Sequence, residues 1–288
     1  MERLGRRIRG GNAGHKGPRY EHFFAAHRVA RLARKLFASG QDATIEWQAE
    51  EAVDDIVVRR DELQSFKGYQ LKNTEQVSWT AGNPSIADDF ILQRTLSEAD
   101  GYQDIRLRLV CANPDVSRQL QEAVPERIGH FSKAISFPYG AVVMPALKEH
   151  PWLAEDFAFL SRKEDADLSE TLSVAAVLAG AVWSLGNTMT VSQVLSQARQ
   201  MSPQMLRVMP AEEAQAEAAL RPELAALMNS WPDFSYGIIR GFLRWSAFSS
   251  RMEGILSMSC TDPKFAGWQQ AVITASPASF EAIEGVFV

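Results

Sequence analysis

Three side chains define the chemistry this chain can offer: Asp55 and, fifteen residues later, the pair Gln70 and Lys72. A carboxylate, an amide oxygen and an ammonium on neighbouring strands suit phosphodiester hydrolysis. A hard divalent cation, Mg²⁺ or Mn²⁺, takes oxygen ligands and is typically held by one or two carboxylates, with water and substrate phosphate completing its shell. Asp55 is the expected main ligand. Gln70 offers its side-chain carbonyl where a second carboxylate often sits, and the backbone carbonyl of Leu71 lies between Gln70 and Lys72. Lys72 supplies the positive charge that orients or deprotonates an attacking water and offsets charge building on the phosphorane, while the metal lowers the water's pKa.

These residues need a hairpin to hold them. Val53 to Val58 is a β-branched run opened by acids, Phe66 to Lys72 is a second short run, and Arg59 to Ser65 is a polar turn between them. Period-2 alternation sends Gln70 and Lys72 to one face and Tyr69 and Leu71 to the other, so one polar face and one core face are expected. The doublet Asp54-Asp55 leaves the ligand open between its two members. Asp55 is favoured because it immediately precedes the Ile-Val-Val run, with Asp54 then facing away. A first strand is read at Thr44 to Ala49, where Glu46 between Ile45 and Trp47 is a further supporting acid. Before it, the spacing of Tyr20, Phe23, Phe24, His27, Val29, Leu32 and Leu36 predicts an amphipathic helix from Arg19, stopped at Ser39-Gly40. Glu21 sits in its first turn, where an acid favours the helix dipole. His22 and His27 are spaced as surface or core histidines, not as the i, i+4 pair of a zinc helix.

Asp55 with Gln70-x-Lys72 resembles the PD-(D/E)xK, restriction-endonuclease-like superfamily in its Q-x-K variant. The wider setting, Gly10-Gly11, Gly17-Pro18-Arg19-Tyr20-Glu21, Glu46, Asp54-Asp55 and Gln70-x-Lys72-Asn73, is similar to a narrower group. This group comprises the double-stranded-DNA endonuclease domains of bacterial anti-phage systems, found in CBASS effectors and Lamassu-type nuclease subunits. The resemblance spans roughly residues 8 to 145. It implies a metal-dependent DNase restrained until a partner or nucleotide signal releases it, with Glu21 joining Asp55 and Gln70 at the metal. Gln70 stands where a sister family has a carboxylate.

The 288 residues carry a formal net charge of −5, unevenly spread. Residues 1 to 35 hold ten Lys/Arg and two Asp/Glu, a net of +8, so the other 253 residues hold 20 against 33, a net of −13. The glycine-rich basic arm of residues 1–18 is therefore expected to follow a phosphate backbone, with Arg6, Arg7, Arg9, Lys16 and Arg19 as DNA contacts. Cys111 and Cys260 are far apart and show no metal or disulfide spacing, which fits a reducing cytoplasm. Neither a transit peptide nor a secretion signal is read at the start, and Leu172 to Leu185 is too short an apolar stretch to span a bilayer. No Walker-type phosphate loop is present, so nucleotide hydrolysis is unsupported.

The expected fold is α/β: a restriction-endonuclease-like mixed sheet flanked by helices over residues 19–149, followed by an α-rich regulatory or oligomerisation domain over 150–288. Ser85 with Asp88 resembles a capping box opening a helix from Ile86 to Ala99. Ile105 to Cys111 reads as a strand, with helices at Val116 to Ala123 and Glu126 to Ala134. In the second half, Trp152 to Arg162 reads as a helix and Leu172 to Leu185 as a buried central one. Residues 190–209 have a helix-turn-helix spacing, too poor in bases for a recognition helix; Phe234 to Met258 reads as an aromatic helical stretch suited to core or to an oligomer interface, and Trp268 to Val288 holds two runs able to pair as strands or to dock on a partner. The expected activity is a Mg²⁺-dependent double-stranded-DNA endonuclease of anti-phage defence, gated by homo-oligomerisation or by an SMC-type sensor subunit. The competing expectations are a catalytically inactive nuclease-fold scaffold that binds DNA or partner subunits, and a helix-turn-helix regulator.

Overall fold

The computed structural model describes residues 17–139 and 143–287. Two compact units emerge: residues as far as Phe157 together with Ala175–Gln197, and Ala158–Val174 together with Ala198–Val288. The boundary expected at residue 149 is thus corrected, because the chain returns to the first unit to complete its sheet.

The first unit opens with α1 (Gly17–Ser39), followed by β1 (Thr44–Trp47), β2 (Ile56–Arg60) and β3 (Ser65–Lys72). Next come α2 (Ile86–Ala99), β4 (Asp104–Cys111), α3 (Pro114–Glu122), the single turn α4 (Glu126–Gly129) and β5 (Ser132–Ser136). Helices α5 (Val143–Glu149), α6 (Pro151–Ala158) and α7 (Leu168–Ser184) precede β6 (Thr188–Thr190) and α8 (Val191–Met201). Six strands form one mixed sheet in the order β5-β4-β3-β2-β1-β6. The expected hairpin is present: β2 and β3 pair antiparallel from Arg60 with Ser65 to Ile56 with Tyr69. β3 then runs parallel to β4, and β4 to β5, the crossovers being supplied by α2 and by α3 with α4. Ser85 and Asp88 close the expected capping box on α2. The strand Ser132–Ser136 replaces the helix expected through Ala134: the helix stops at Gly129, and Ser-Lys-Ala-Ile-Ser alternates as a strand does.

β3 is a central strand covered on both sides, which corrects the expectation of one polar and one core face. Phe66 and Gly68 share the face of Gln70 and Lys72, and Phe66 belongs with Val57, Leu107, Leu109, Phe90 and Leu120 to the main core under α2 and α3. On the other face Tyr69 packs beneath α1, its ring 5.2 Å from that of Phe24. Burial on both faces is the ordinary condition of parallel strands in α/β folds. That core face turns polar only at the C-terminal end of β3.

The second unit is not all-helical. Its helices α9 (Pro210–Ala218) and α10 (Pro222–Ser230) lead into β7 (Phe234–Ile239), β8 (Phe242–Ala247) and β9 (Met252–Ser259), an antiparallel meander, and α11 (Pro263–Ala275) follows. Trp231, Trp245, Phe265 and Phe280 form its core. The expected aromatic helix at 234–258 is therefore a three-stranded sheet. Arg240 and Gly241, both with positive φ, make the two-residue turn that a hairpin needs. The C-terminal strand pairing is replaced by α11, capped by Asp262 and opened by Pro263. Residues 202–209 form no second helix. Pro203 to Met205 form a single turn, the Met205 N–H donating to the Ser202 carbonyl, and the chain then runs on with Leu206 bridging to Ser161, so the helix-turn-helix reading falls. α7 is not buried all round either: Val174, Leu178 and Ala181 are buried, but Trp183 is 73% exposed.

Candidate active site

The site lies where β2 begins and β3 ends. Asp55 stands one residue before the last ladder pair of the hairpin, Ile56 with Tyr69, on the side of Gln70 and Leu71. Its Oδ2 accepts the Leu71 N–H at 2.5 Å, so the carboxylate takes the place that a further residue of β2 would occupy. Within a strand residue the N–H and C=O point to the same side, so the Leu71 carbonyl is turned toward Asp55 as well. Asp54 and Asp55 are tied back to the strand before them: Ala49 N–H donates to the Asp54 carbonyl at 2.8 Å and Gln48 N–H to the Asp55 carbonyl at 3.0 Å.

Burial pushes the Asp55 carboxyl up to about 7; the positive charge of Lys72 opposes the rise, the charges of Asp54 and Glu21 add to it, and the Leu71 N–H opposes it. Those charges act because the groups are close. Lys72, Asp54 and Glu21 therefore share one electrostatic neighbourhood with Asp55, although Glu21 comes from α1 and the others from the hairpin; α1 starts at Gly17, so Glu21 lies just past its first turn and not in it as expected. Gln70 is 4% exposed, and its Oε1 has no hydrogen-bond partner. An orphaned buried amide oxygen costs free energy unless something meets it, and a cation is one such partner.

The oxygens of Asp55, Gln70, Glu21 and the Leu71 carbonyl are hard donors that fit Mg²⁺ or Mn²⁺. The Oε1 of Gln70, buried and without a partner, is the observation that argues for a bound cation. Among the described residues, no group of three or more His, Cys, Asp and Glu side chains is gathered closely enough to hold a metal ion. A cation here would thus depend on the amide, the backbone carbonyl and water or phosphate beside its carboxylates.

Trp47 and Tyr20 complete the setting; the sequence reading names both but gives neither a role at the site. The Trp47 indole N–H donates to Glu21 Oε2 at 3.0 Å, fixing the acid of α1 against β1. Tyr20 is 1% exposed and donates to the Phe137 carbonyl at 3.3 Å. Its hydroxyl is pushed well above the ordinary tyrosine range by burial, then by Cys111 and Asp55, which places it beside the site as a neutral group. The alternation in β1 was the available signal: Glu46 and Trp47 face opposite ways, and only one can look toward α1.

Glu46, opposite Val57 and through it Gly68, shares the face of Gln70, whereas Trp47 and the Glu21 it holds lie on the face of Tyr69. Glu46 forms an ion pair with Arg59, which also pairs with Glu51, and Gln93 bridges Glu51 to the Val53 backbone. Glu46 therefore braces the hairpin. Of the expected DNA contacts, Arg19 is exposed at the start of α1, while Arg6, Arg7, Arg9 and Lys16 lie outside the described residues. Among the described residues no helix is long and apolar enough to cross a membrane. Comparison with family models, with curated proteins and with solved structures finds no match to this chain.

Proposed function

We propose that this chain is a Mg²⁺- or Mn²⁺-dependent endonuclease acting on double-stranded DNA, with Asp55, Gln70 and Glu21 holding the cation and Lys72 acting on the water. The observation that carries the reading is the meeting at one strand end of an unmet buried amide oxygen, a carboxyl whose proton affinity is raised first by burial and then by neighbouring acids, and a lysine. Such an excess of oxygen donors and negative charge is costly in an empty protein and useful around a cation.

When bound, the cation would supply an activated water and neutralise charge on the phosphoryl oxygens. Lys72, on the same strand face as Gln70, stands beside Asp55 and offers a positive charge to the phosphorane as negative charge develops there. Trp47 holds the Glu21 carboxylate, and the Leu71 N–H holds that of Asp55. The basic arm would hold the flanking phosphates. A role in anti-phage defence, homo-oligomerisation and control by an SMC-type sensor subunit belong to this proposal through the motif resemblance, as does a cytoplasmic setting.

Calorimetric titration of the full chain with Mn²⁺ tests the centre of the proposal. Saturable binding is expected in the wild type, with at least a tenfold loss in Asp55→Asn. Equal binding in the two proteins would remove the site and leave the alternative, a nuclease-fold scaffold that binds DNA or partner subunits without cutting.

A further inference from the structure

On the opposite face of the same sheet, a groove of about 260 Å³ runs between α1 and strands β2 to β5. Seven of its ten lining residues are cationic, the others being Leu32, Tyr69 and Ile135. α1 contributes Arg28, Arg31 and Lys35, at helical spacings i, i+3 and i+7 that put them on one face. The strands contribute Lys67, Arg106 and Arg108, with Arg60 beside them. Parallel pairing sets Lys67 directly against Arg106, a like-charge neighbour pair that destabilises a sheet.

Very little in the protein balances this charge. Arg106 pairs with Asp104 at 2.8 Å, while no carboxylate lies within ion-pairing distance of the other six among the described residues. Arg108 is spent on the carbonyls of Leu107 and Phe131, and Arg60 reaches the Ser65 hydroxyl. The Nε of Arg28 is buried without a hydrogen-bond partner while its guanidinium lies 5.1 Å from the centre of the Tyr69 ring. Burial, then Arg60, Arg28, Arg106 and Lys35, bring the Lys67 ammonium down to about 8. Seven cations around one small groove repel each other until an anion enters it.

The groove's size and floor define the anion. Pockets for drug-sized molecules run from roughly 300 to 1,000 Å³, so this one is small. Tyr69, its aromatic residue, is 4% exposed beneath Arg28 and offers no face for a base. Lys67, Arg28 and Arg108 are half-buried, at a depth suited to a slender ligand rather than to the broad surface of a duplex. We propose that this groove binds a short chain of linked phosphates, either free inorganic polyphosphate or the phosphate tail of a nucleotide. The site is separate from the Asp55 cluster and does not depend on the nuclease reading.

The test is isothermal titration of the full chain in EDTA, so that no metal-phosphate complex can bind at Asp55. The probes are tripolyphosphate, ATP and orthophosphate. Tripolyphosphate and ATP are expected to bind at least tenfold more tightly than orthophosphate; equal affinity for the two means that the phosphate chain alone is read, and tighter ATP binding means a nucleotide. The double substitution Arg31→Glu with Lys35→Glu, at two exposed helix positions, is expected to weaken both at least tenfold with an unliganded melting temperature that is unchanged or higher. Lys67→Met should do the same from the floor of the groove. The proposal fails if tripolyphosphate binds no better than sulfate at matched ionic strength, or if the charge-reversed protein binds it equally well. It also fails if a 20-base-pair duplex displaces tripolyphosphate and shares its sensitivity to these substitutions, since the groove would then be a nucleic-acid track.

Discussion

Asp55 gives up its proton near neutrality, and that one property connects stability to function. Its carboxyl, at about 7 in the fold, lies above the value near 3.9 expected for an unfolded aspartate. The folded state therefore holds the proton more tightly, and the stability linked to Asp55 is full below about pH 4 and lost as the pH rises through 7. Asp55→Asn keeps an oxygen for the Leu71 N–H and removes the charge. The metal-free variant is expected to match the wild type at pH 4 and to exceed its unfolding free energy by about 1–3 kcal/mol at pH 8, as read by denaturant titration. Loss of stability at pH 8 would show that Asp55 is held by its neighbours instead of opposed by them. Gln70 carries a second prediction at this scale. Gln70→Glu should retain Mn²⁺ binding, because a carboxylate restores the commoner ligand, whereas Gln70→Met should weaken it at least tenfold while leaving the melting temperature unchanged or higher. The hairpin end that carries Gln70 and Lys72, with Asp55 just before its partner strand, was legible from the sequence because the pattern is local. Trp47 and the bracing role of Glu46 were not, since both depend on which face of β1 meets α1 and which meets Arg59.

Among the elements, β3 has the least room for change. Gly68 sits where a Cβ would come 2.9 Å from Leu107 Cδ2 and 3.1 Å from Val53 Cγ1, so a methyl group must push two core side chains. Gly68→Ala is expected to cost about 1–3 kcal/mol in denaturant unfolding. A neutral result would mean that the strand end carrying Gln70 and Lys72 is free to shift. The hairpin, α1, the capping box of α2 and strand β4 were all readable, because their periodicities and caps are local. The second unit was misread for a physical reason: aromatic residues at 236, 242, 245 and 248 can be fitted to a helical repeat if the turn chemistry at Arg240-Gly241 is ignored. That dipeptide has positive φ at both positions, and a Cβ on Gly241 would fall 2.2 Å from Val208 Cγ2. Turn residues, not aromatic spacing, decide the fold there.

At the scale of the whole chain, the sheet that carries the site is completed by a strand from far along the sequence. β6 pairs antiparallel with β1, Thr44 with Thr190 and Glu46 with Thr188, and Val191 N–H donates to the Ala43 carbonyl at 3.0 Å. A chain ending at Phe157 keeps every candidate catalytic residue yet leaves β1 as a bare edge. It is expected to melt lower than the full chain and to aggregate on heating, and equal melting would show that β6 is dispensable. No local signal in Thr-Met-Thr predicts this pairing, which explains why a simple cut at residue 149 looked sufficient. The most direct measurement is cleavage of supercoiled plasmid by the purified full chain in Mg²⁺ or Mn²⁺ across pH 5 to 9, beside Lys72→Ala and an EDTA control. Nicking or linearisation that rises through about pH 7, stops in EDTA and falls at least a hundredfold in Lys72→Ala is the expected result. Cleavage that survives the loss of Lys72 or of the metal would contradict the account, and so would a wild type that binds Mn²⁺ at Asp55 and still cuts nothing when its sensor partner and signal are supplied.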